Sequence, residues 1–192
     1  MAPDKPTSAI MWTRLDRPGQ DHCRLFRLSD GWRLAGSAVF FEQRACSLRY
    51  EVVTSRDWIT RRALVDGHVG GRSVSVRIQA SRSRRWRLNG ARQPRLDGCI
   101  DLDLAFTPAT NLIAVKRLAL TVGAGADSAA AYLTFPGLAL VVLPQRYVRA
   151  SAREYDYTSP TSGYAGRLRL TRDGWIDRYP GVFERAGSPT RA

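Results

Sequence analysis

Alternation of apolar and polar residues is the feature that most constrains how this chain folds. The stretches 48–52, 73–78 and 167–170 each place an apolar side chain at every second position. This period matches a β-strand, in which successive side chains point to opposite faces of a sheet. Dipeptides that favour tight turns recur between such stretches: Asp30-Gly31, Asp66-Gly67, Gly70-Gly71, Asn89-Gly90 and Asp173-Gly174. The sequence therefore predicts antiparallel strands joined mainly as hairpins.

The number of strands, about a dozen by this pattern, restricts the architecture further. Large sheets curl or close because this removes their exposed edges. We therefore predict a mainly β fold, either an antiparallel β-barrel or a strongly curved sheet, with one or two short helices. Asn111 to Leu120 carries apolar residues at helical spacing behind Thr110, a plausible helix cap, and is predicted to be helical. The alanine-rich stretch 124–131 fits a helix or a strand.

The length of 192 residues fits one domain, predicted over 1–192, with flexible tails at 1–8 and 186–192. The longest apolar run, 138–143, is far shorter than the roughly 20 residues that cross a bilayer, so we expect no stable membrane insertion. No apolar stretch follows the first eight residues, so we expect no secretory signal and a cytoplasmic location. The oligomeric state is left open.

The segment 96–104 carries an acidic strip. In an extended conformation Cys99, Asp101 and Asp103 share one face, and the two carboxylates lie about 7 Å apart. Three roles are open for this pair: an acid and base in catalysis, partners of arginines such as Arg61, Arg62 or Arg117, and acceptors for sugar hydroxyls. In the last role Asn111 and Gln145 would join them. Cys99, between acidic neighbours, is predicted to have a raised thiol pKa and to be a core residue.

Gln145 and Tyr147 fall on one face of a predicted strand and Arg146 on the other. If the first face is internal, it brings polar groups into a cavity. Several aromatic residues either fill the core or contact a sugar or lipid ligand: Trp58, Trp86, Tyr147, Tyr155 and Tyr157.

The formal net charge of +13 comes almost entirely from arginine. Six arginines surround Trp86 in the segment from Arg82 to Arg95, where guanidinium groups next to an indole could bind phosphate and stack a base. Nucleic-acid binding through this segment is therefore an alternative function, opposed by the simpler interpretation of a solvated strand pair.

Cysteine and histidine are few, and their spacing indicates neither a disulfide nor a metal site. Cys23, Cys46 and Cys99 are expected to be free, and His22 and His68 do not form a ligand pattern. No nucleotide-binding loop is present, and we predict no metal and no cofactor. We also predict no enzymatic activity, because no nucleophile or metal site stands out near the acidic pair; a small-molecule hydrolase or isomerase using Asp101 and Asp103 is the enzymatic alternative.

Several separated motifs resemble the family called putative glycolipid-binding. They are Asp57-Trp58-Ile59-Thr60-Arg61, Trp86, the strip 98–103 with Thr107-Pro108 and Thr110-Asn111, Arg117-Leu118, Gln145-Arg146-Tyr147, and the stretch from Asp173-Gly174 to Tyr179-Pro180. The resemblance runs from about Trp12 to Phe183. The chain departs from the family pattern after Asn111, where members tend to carry a Leu-Pro pair and two basic residues and this chain reads Leu-Ile-Ala-Val-Lys-Arg.

The resemblance implies a fold similar to the lipoprotein carriers of the bacterial envelope, whose curved sheet cups acyl chains. It also implies a strand running into Tyr132. We therefore predict a lipid- or glycolipid-binding protein that holds an amphipathic ligand in a barrel or half-barrel cavity, with acyl carbons in the apolar interior and a polar rim at the head group. The predicted ligand-binding residues are Arg62, Asp101, Asp103, Asn111, Arg117, Gln145 and Tyr147.

Overall fold

Fifteen β-strands and one α-helix make up the regular structure of residues 5–187, the part of the chain that the computed structural model describes. The strands are β1 (Ser8–Arg14), β2 (Gly19–Leu28), β3 (Gly31–Glu42), β4 (Arg44–Ser55), β5 (Thr60–Val69), β6 (Arg72–Ala80), β7 (Trp86–Leu88), β8 (Ala91–Arg92), β9 (Asp101–Leu104), β10 (Gly125–Leu133), β11 (Leu140–Arg149), β12 (Glu154–Ser159), β13 (Tyr164–Leu170), β14 (Ile176–Tyr179) and β15 (Phe183–Arg185). The helix α1 is Asn111–Leu118, and short 3-10 turns cover Pro94–Leu96 and Pro160–Ser162.

All fifteen strands belong to one curved sheet that does not close on itself. Its order is β8-β7-β6-β5-β4-β3-β2-β1-β15-β14-β13-β12-β11-β10-β9, so β8 and β9 form the two edges. Every pair is antiparallel except β9 with β10. The predicted mainly β fold is confirmed in its curved-sheet form. A parallel pair needs a crossover connection, and α1 lies in the connection between β9 and β10.

The edge strand β9 lies against the beginning of β5, on the other arm of the sheet. The Thr60 amide donates to the Ile100 carbonyl at 3.3 Å, and the Leu102 amide donates to Thr60 Oγ1 at 3.1 Å. On the same side, Trp86 Nε1 donates to the Cys99 carbonyl at 3.0 Å. These contacts hold the curved sheet folded over its inner face.

The inner face of the sheet carries the core, as the alternation of the sequence predicts. Leu48, Tyr50 and Val52 are buried along β4, and Val76 and Ile78 along β6, while the intervening Arg49 and Arg77 are exposed. The helix connects two groups of buried residues. Leu112 and Ile113 pack in the main core with Trp12, Trp86 and Phe106, and Ala114 and Val115 pack with Tyr147, Tyr155 and Tyr157.

The predicted helix is confirmed, although it ends at Leu118 rather than Leu120. Ala119 adopts a left-handed conformation with φ of 45° and its amide donates to the Val115 carbonyl, which terminates the helix. The stretch 124–131, left open by its composition, lies almost wholly in β10. Asn89 and Gly90 both have positive φ, 48° and 85°, as a two-residue hairpin turn between β7 and β8 requires.

The predicted tails fall largely outside the described residues. Within them, the Thr7 amide donates to Leu25, Ser8 begins β1, and the Ala186 amide donates to Met11. These three residues are therefore attached to the sheet.

No helix among residues 5–187 has the length and apolar character needed to span a bilayer.

Candidate functional site

Asp101 forms a buried ion pair. Its carboxylate, on β9, accepts two hydrogen bonds from Arg117 at 2.7 and 2.6 Å and one from Ser128 Oγ at 2.7 Å. Asp101 is only 1% exposed. Because a buried carboxylate needs a charged or hydrogen-bonding partner, this bidentate contact with α1 fixes the helix against the edge of the sheet. Of the three arginines considered as partners, Arg117 is the one used.

Asp103, two residues along the same strand, has a different environment. It accepts hydrogen bonds from Gln145 Nε2 at 2.7 Å and from Thr110 Oγ1 at 3.2 Å. Among the described residues it forms no ion pair. Burial raises the pKa of the Asp103 carboxyl to about 6, although the two hydrogen bonds favour the charged form. Asp103 is therefore a polar group with unused acceptor capacity at neutral pH.

Tyrosines from β11, β12, β13 and β14 pack beside this carboxylate. Gln145 Nε2, which donates to Asp103, also donates to the Tyr157 hydroxyl at 2.9 Å. Asn111 Nδ2 donates to the Tyr147 hydroxyl at 3.1 Å. The ring of Tyr157 lies with its centroid 5.9 Å from those of both Tyr164 and Tyr179. Burial raises the pKa of the Tyr147, Tyr157 and Tyr179 hydroxyls, so all three remain protonated donors.

A cleft of about 420 Å³ opens between this group and the neighbouring loops, and we call it the tyrosine cleft. Its polar wall consists of Asp103, Asn111, Tyr132, Tyr157, Tyr164 and Tyr179. The rest of its lining includes Asp16, Arg17, Thr107, Pro108, Leu143, Val182 and Phe183. The volume lies in the range of small-ligand pockets, and the walls combine hydrogen-bonding groups with apolar surface.

The loop after β9, which carries Thr107 and Pro108, is attached to the sheet by a buried acid. Asp21 on β2 accepts hydrogen bonds from the Thr107 hydroxyl and from Tyr50 at 3.1 Å. Thr107 Oγ1 in turn accepts from the Ala109 amide at 3.0 Å. Burial raises the pKa of Asp21 to about 7, against the effect of these hydrogen bonds. Asp21 thus holds one wall of the tyrosine cleft in place.

The seven predicted ligand-binding residues divide into three groups. Asp103 and Asn111 line the tyrosine cleft, and Gln145 and Tyr147 lie behind it and hydrogen-bond to its wall. Asp101 and Arg117 form the ion pair beside it. The structure does not bring Arg62 to this site, because Arg62 lies on the outward face of β5, 3.8 Å from Glu51.

Sequence reasoning missed Tyr132, Tyr164 and Tyr179 as cleft residues. Tyr132 follows the alanine-rich stretch whose conformation was open, and Tyr164 and Tyr179 reach the site only through the pairing of β12, β13 and β14. The only sequence signal for these tyrosines was their place in the period-two pattern of short strands, which indicates the face of the sheet that they occupy. Asp21 was missed as well, because its partners Tyr50 and Thr107 are distant in sequence.

The idea that Trp86 stacks a base among arginines is wrong. Trp86 has no exposed surface and its indole faces the core, where Nε1 is bonded to Cys99. Five of the six nearby arginines are exposed, whereas the indole is not: Arg82, Arg84, Arg85, Arg87 and Arg95. The three cysteines are free and buried, as predicted, and burial raises the thiol pKa of Cys99. Within residues 5–187 no group of three His, Cys, Asp or Glu side chains is placed to hold a metal ion.

Comparison with known proteins assigns the chain to a family. The model of the family described as "putative glycolipid-binding" matches residues 9–185. The chain belongs to this family. A crystal structure of a DUF1089 family protein from Pseudomonas aeruginosa shares the fold, with a TM-score of 0.75 and 24% identity over 96% of each chain. None of the curated proteins compared with the chain matches it.

Proposed function

We propose that this member of the family binds a glycolipid by placing its sugar head group in the tyrosine cleft. The observation that carries the proposal is the environment of Asp103, a carboxylate with no ion-pair partner among residues 5–187 that faces a cleft walled by tyrosines. Sugar hydroxyls donate well to a carboxylate and to amide oxygens, and tyrosine offers an apolar ring with a polar tip. Asp103 and Asn111 would accept and donate hydrogen bonds at the head group.

The apolar part of the ligand would leave the cleft along its apolar lining residues. Leu143, Val182 and Phe183 line the same cleft, so the first carbons of an acyl chain can contact them, each buried methylene contributing about 0.8 kcal/mol. The inner face of the sheet already holds Trp12 and Phe106 packed with the main core. We therefore place the rest of the acyl chain outside the interior, in contrast to a ligand wholly enclosed by the sheet.

Binding rather than catalysis is the function that these carboxylates favour. An acid and base pair would need both Asp101 and Asp103 to exchange protons with a substrate. The Asp101 carboxylate is occupied by Arg117 and Ser128, and it does not line the cleft. Asp103 alone, with its raised pKa, can accept a hydrogen bond from a ligand, and this role needs no second carboxyl group.

The test compares two lipids that differ only in the sugar. A glucosyl diacylglycerol and the diacylglycerol of the same chain length, both in detergent micelles, would be titrated into the protein by calorimetry at pH 8. We expect tighter binding of the glucosylated lipid and a loss of at least tenfold in Asp103→Asn, since a hydrogen bond to a charged group contributes roughly 1.5–3 kcal/mol. Asp156→Asn, on the outer part of β12 and paired with Arg167, is the matched control.

The pH dependence of the same titration separates the carboxylate from a general packing effect. Because the pKa of Asp103 is about 6, affinity for the glucosylated lipid should fall as the pH drops below 6, and this fall should be absent in Asp103→Asn. Equal affinity for the two lipids, or an Asp103→Asn protein that binds like the wild type, would rule out the proposed site.

A further inference from the structure

A second cleft lies on the outer face of the sheet at β5 to β8. It has a volume of about 540 Å³ and shares no lining residue with the tyrosine cleft. Five of its nine lining residues are arginines: Arg61, Arg62, Arg85, Arg87 and Arg92. The others are Gln79, Ala80, Ser81 and Ser83. We call it the arginine cleft.

The register of four strands aligns three of these arginines in one row. Arg62 pairs with Gln79, Gln79 with Arg87, and Arg87 with Arg92, across β5, β6, β7 and β8. Neighbouring strands lie about 4.8 Å apart, so the row spans roughly 14 Å. Arg87 and Arg92 face each other directly, and like charges in that position destabilise a strand pair. A bound anion would remove this repulsion.

Acidic side chains balance only part of the positive charge. Arg61 pairs with Asp30, and Arg92 pairs with Asp97. Arg62 is 3.8 Å from Glu51, which also lies 3.7 Å from Arg33.

Two arginines of the cleft form no ion pair within 4 Å in the described part of the chain, Arg85 and Arg87, although Arg85 is close enough to Asp97, the partner of Arg92, to help lower the pKa of that carboxyl. The side chain of Arg87 donates to the Gly90 carbonyl at 2.8 Å, which is uncharged. Arg92 Nη1, which is buried, has no hydrogen-bond partner among residues 5–187. The arginine cleft therefore presents unused guanidinium donors.

The turn between β6 and β7 adds hydroxyl groups in a fixed arrangement. The hydroxyls of Ser81 and Ser83 are 3.0 Å apart, and the Arg85 amide donates to Ser81 Oγ at 3.1 Å. The Arg84 amide donates to the Ser81 carbonyl at 2.9 Å, and Arg84 has a φ of 56°. These contacts order the segment that carries Arg85, so the cleft does not depend on a freely moving loop.

We infer that the arginine cleft binds a phosphate-bearing anion, either a soluble phosphorylated compound or the phosphorylated head group of a lipid. The planar guanidinium group donates two parallel hydrogen bonds to phosphate oxygens, and arginine suits this geometry better than lysine. Serine hydroxyls supply further donors. The cleft is less suited to single-stranded nucleic acid, because binding of single strands relies on stacking of bases on aromatic side chains and Trp86 is buried on the opposite face.

The test uses pyrophosphate as the soluble probe, titrated by calorimetry at 0.15 M salt. Arg85→Gln with Arg87→Gln removes the two cleft arginines that form no ion pair. Arg146→Gln with Arg167→Gln removes two positive charges from exposed strand positions outside the cleft and is the matched control. We expect the cleft variant to bind pyrophosphate at least tenfold more weakly and the control variant to bind within twofold of wild type.

Vesicles distinguish the two sources of phosphate. Sedimentation with phosphatidic acid in phosphatidylcholine, against phosphatidylcholine alone, tests the lipid source. Binding of these vesicles that pyrophosphate competes away and the cleft variant loses assigns the cleft to a phosphorylated head group; pyrophosphate binding without vesicle binding assigns it to a soluble ligand.

Three results would overturn the inference. They are the absence of binding to both probes, an equal loss in the cleft and control variants, and binding of a single-stranded oligonucleotide that pyrophosphate does not displace. The last would indicate a nucleic-acid surface. None of these results affects the tyrosine cleft, because Asp103→Asn and the glycolipid titration address different residues.

Discussion

Asp21 is a buried carboxyl whose side-chain hydrogen-bond partners are the hydroxyl groups of Thr107 and Tyr50. Its pKa of about 7 lies above the ordinary value of 3.8, so the folded protein binds this proton more tightly than the unfolded chain. The resulting stabilisation is fully present below pH 3.8 and is lost as the pH rises to 7. At 1.36 kcal/mol per pKa unit it amounts to at most about 4 kcal/mol. Urea unfolding between pH 4 and 8 should show wild type losing stability relative to Asp21→Asn over this range.

Thr107→Val provides the second variant for this measurement. It removes a hydrogen bond that favours the charged form of Asp21, so the pKa of Asp21 should rise further and the loss of stability with pH should become larger. A constant difference between wild type and Asp21→Asn from pH 4 to 8 would show that Asp21 is not the titrating group.

At the scale of single residues, the sequence predicted which face of a strand a side chain occupies better than which residue that side chain contacts. Gln145 and Tyr147 share a buried face and Arg146 is exposed, as period two requires. Asp101 and Asp103 are also on one strand, yet one is paired with Arg117 and the other is not. This difference depends on where α1 crosses the sheet edge, which involves long-range packing that local alternation does not encode.

The end of α1 gives a prediction for a single element. Ala119 is exposed and has the left-handed conformation that glycine adopts without a steric cost. That cost is roughly 1–2 kcal/mol and is partly offset by the greater freedom of glycine in the unfolded chain. Ala119→Gly should therefore raise the free energy of unfolding by about 0.5–1 kcal/mol in urea denaturation.

Ala114→Gly is the matched control for the helix. Ala114 is buried in the helix interior, where glycine costs about 1 kcal/mol, so this variant should be less stable. Two variants that change stability in the same direction would contradict the assignment of Ala119 as the helix end. Sequence spacing located the helix but placed its end two residues too late, because the left-handed conformation of Ala119 leaves no signal in the spacing of apolar residues.

For the whole molecule, the contact between β9 and β5 keeps the open sheet folded over. Thr60 is 2% exposed and its hydroxyl is the acceptor for the Leu102 amide. Thr60→Val keeps the shape but leaves that buried amide without a partner, which costs about 1–3 kcal/mol. We expect this loss in urea unfolding, together with faster hydrogen exchange at Leu102.

Thr158→Val makes the same chemical change at an exposed position of β12 and should alter stability by less than about 0.5 kcal/mol. Unchanged stability and unchanged exchange at Leu102 in Thr60→Val would show that the contact does not hold the arms together.

Strand number alone predicted curvature, but the choice between a closed and an open sheet depends on which edges meet. Thr60 is 42 residues from Leu102, so no local pattern reports that meeting.

The pairing of β1 with β15 has a consequence for how the chain is made. These two strands join the two arms of the sheet, and three residue pairs form their register: Trp12 with Arg185, Thr13 with Glu184, and Arg14 with Phe183. A ribosome releases β1 first and β15 last of the fifteen strands. One edge of β1 therefore stays open to other chains throughout synthesis, until the last strand emerges and covers it.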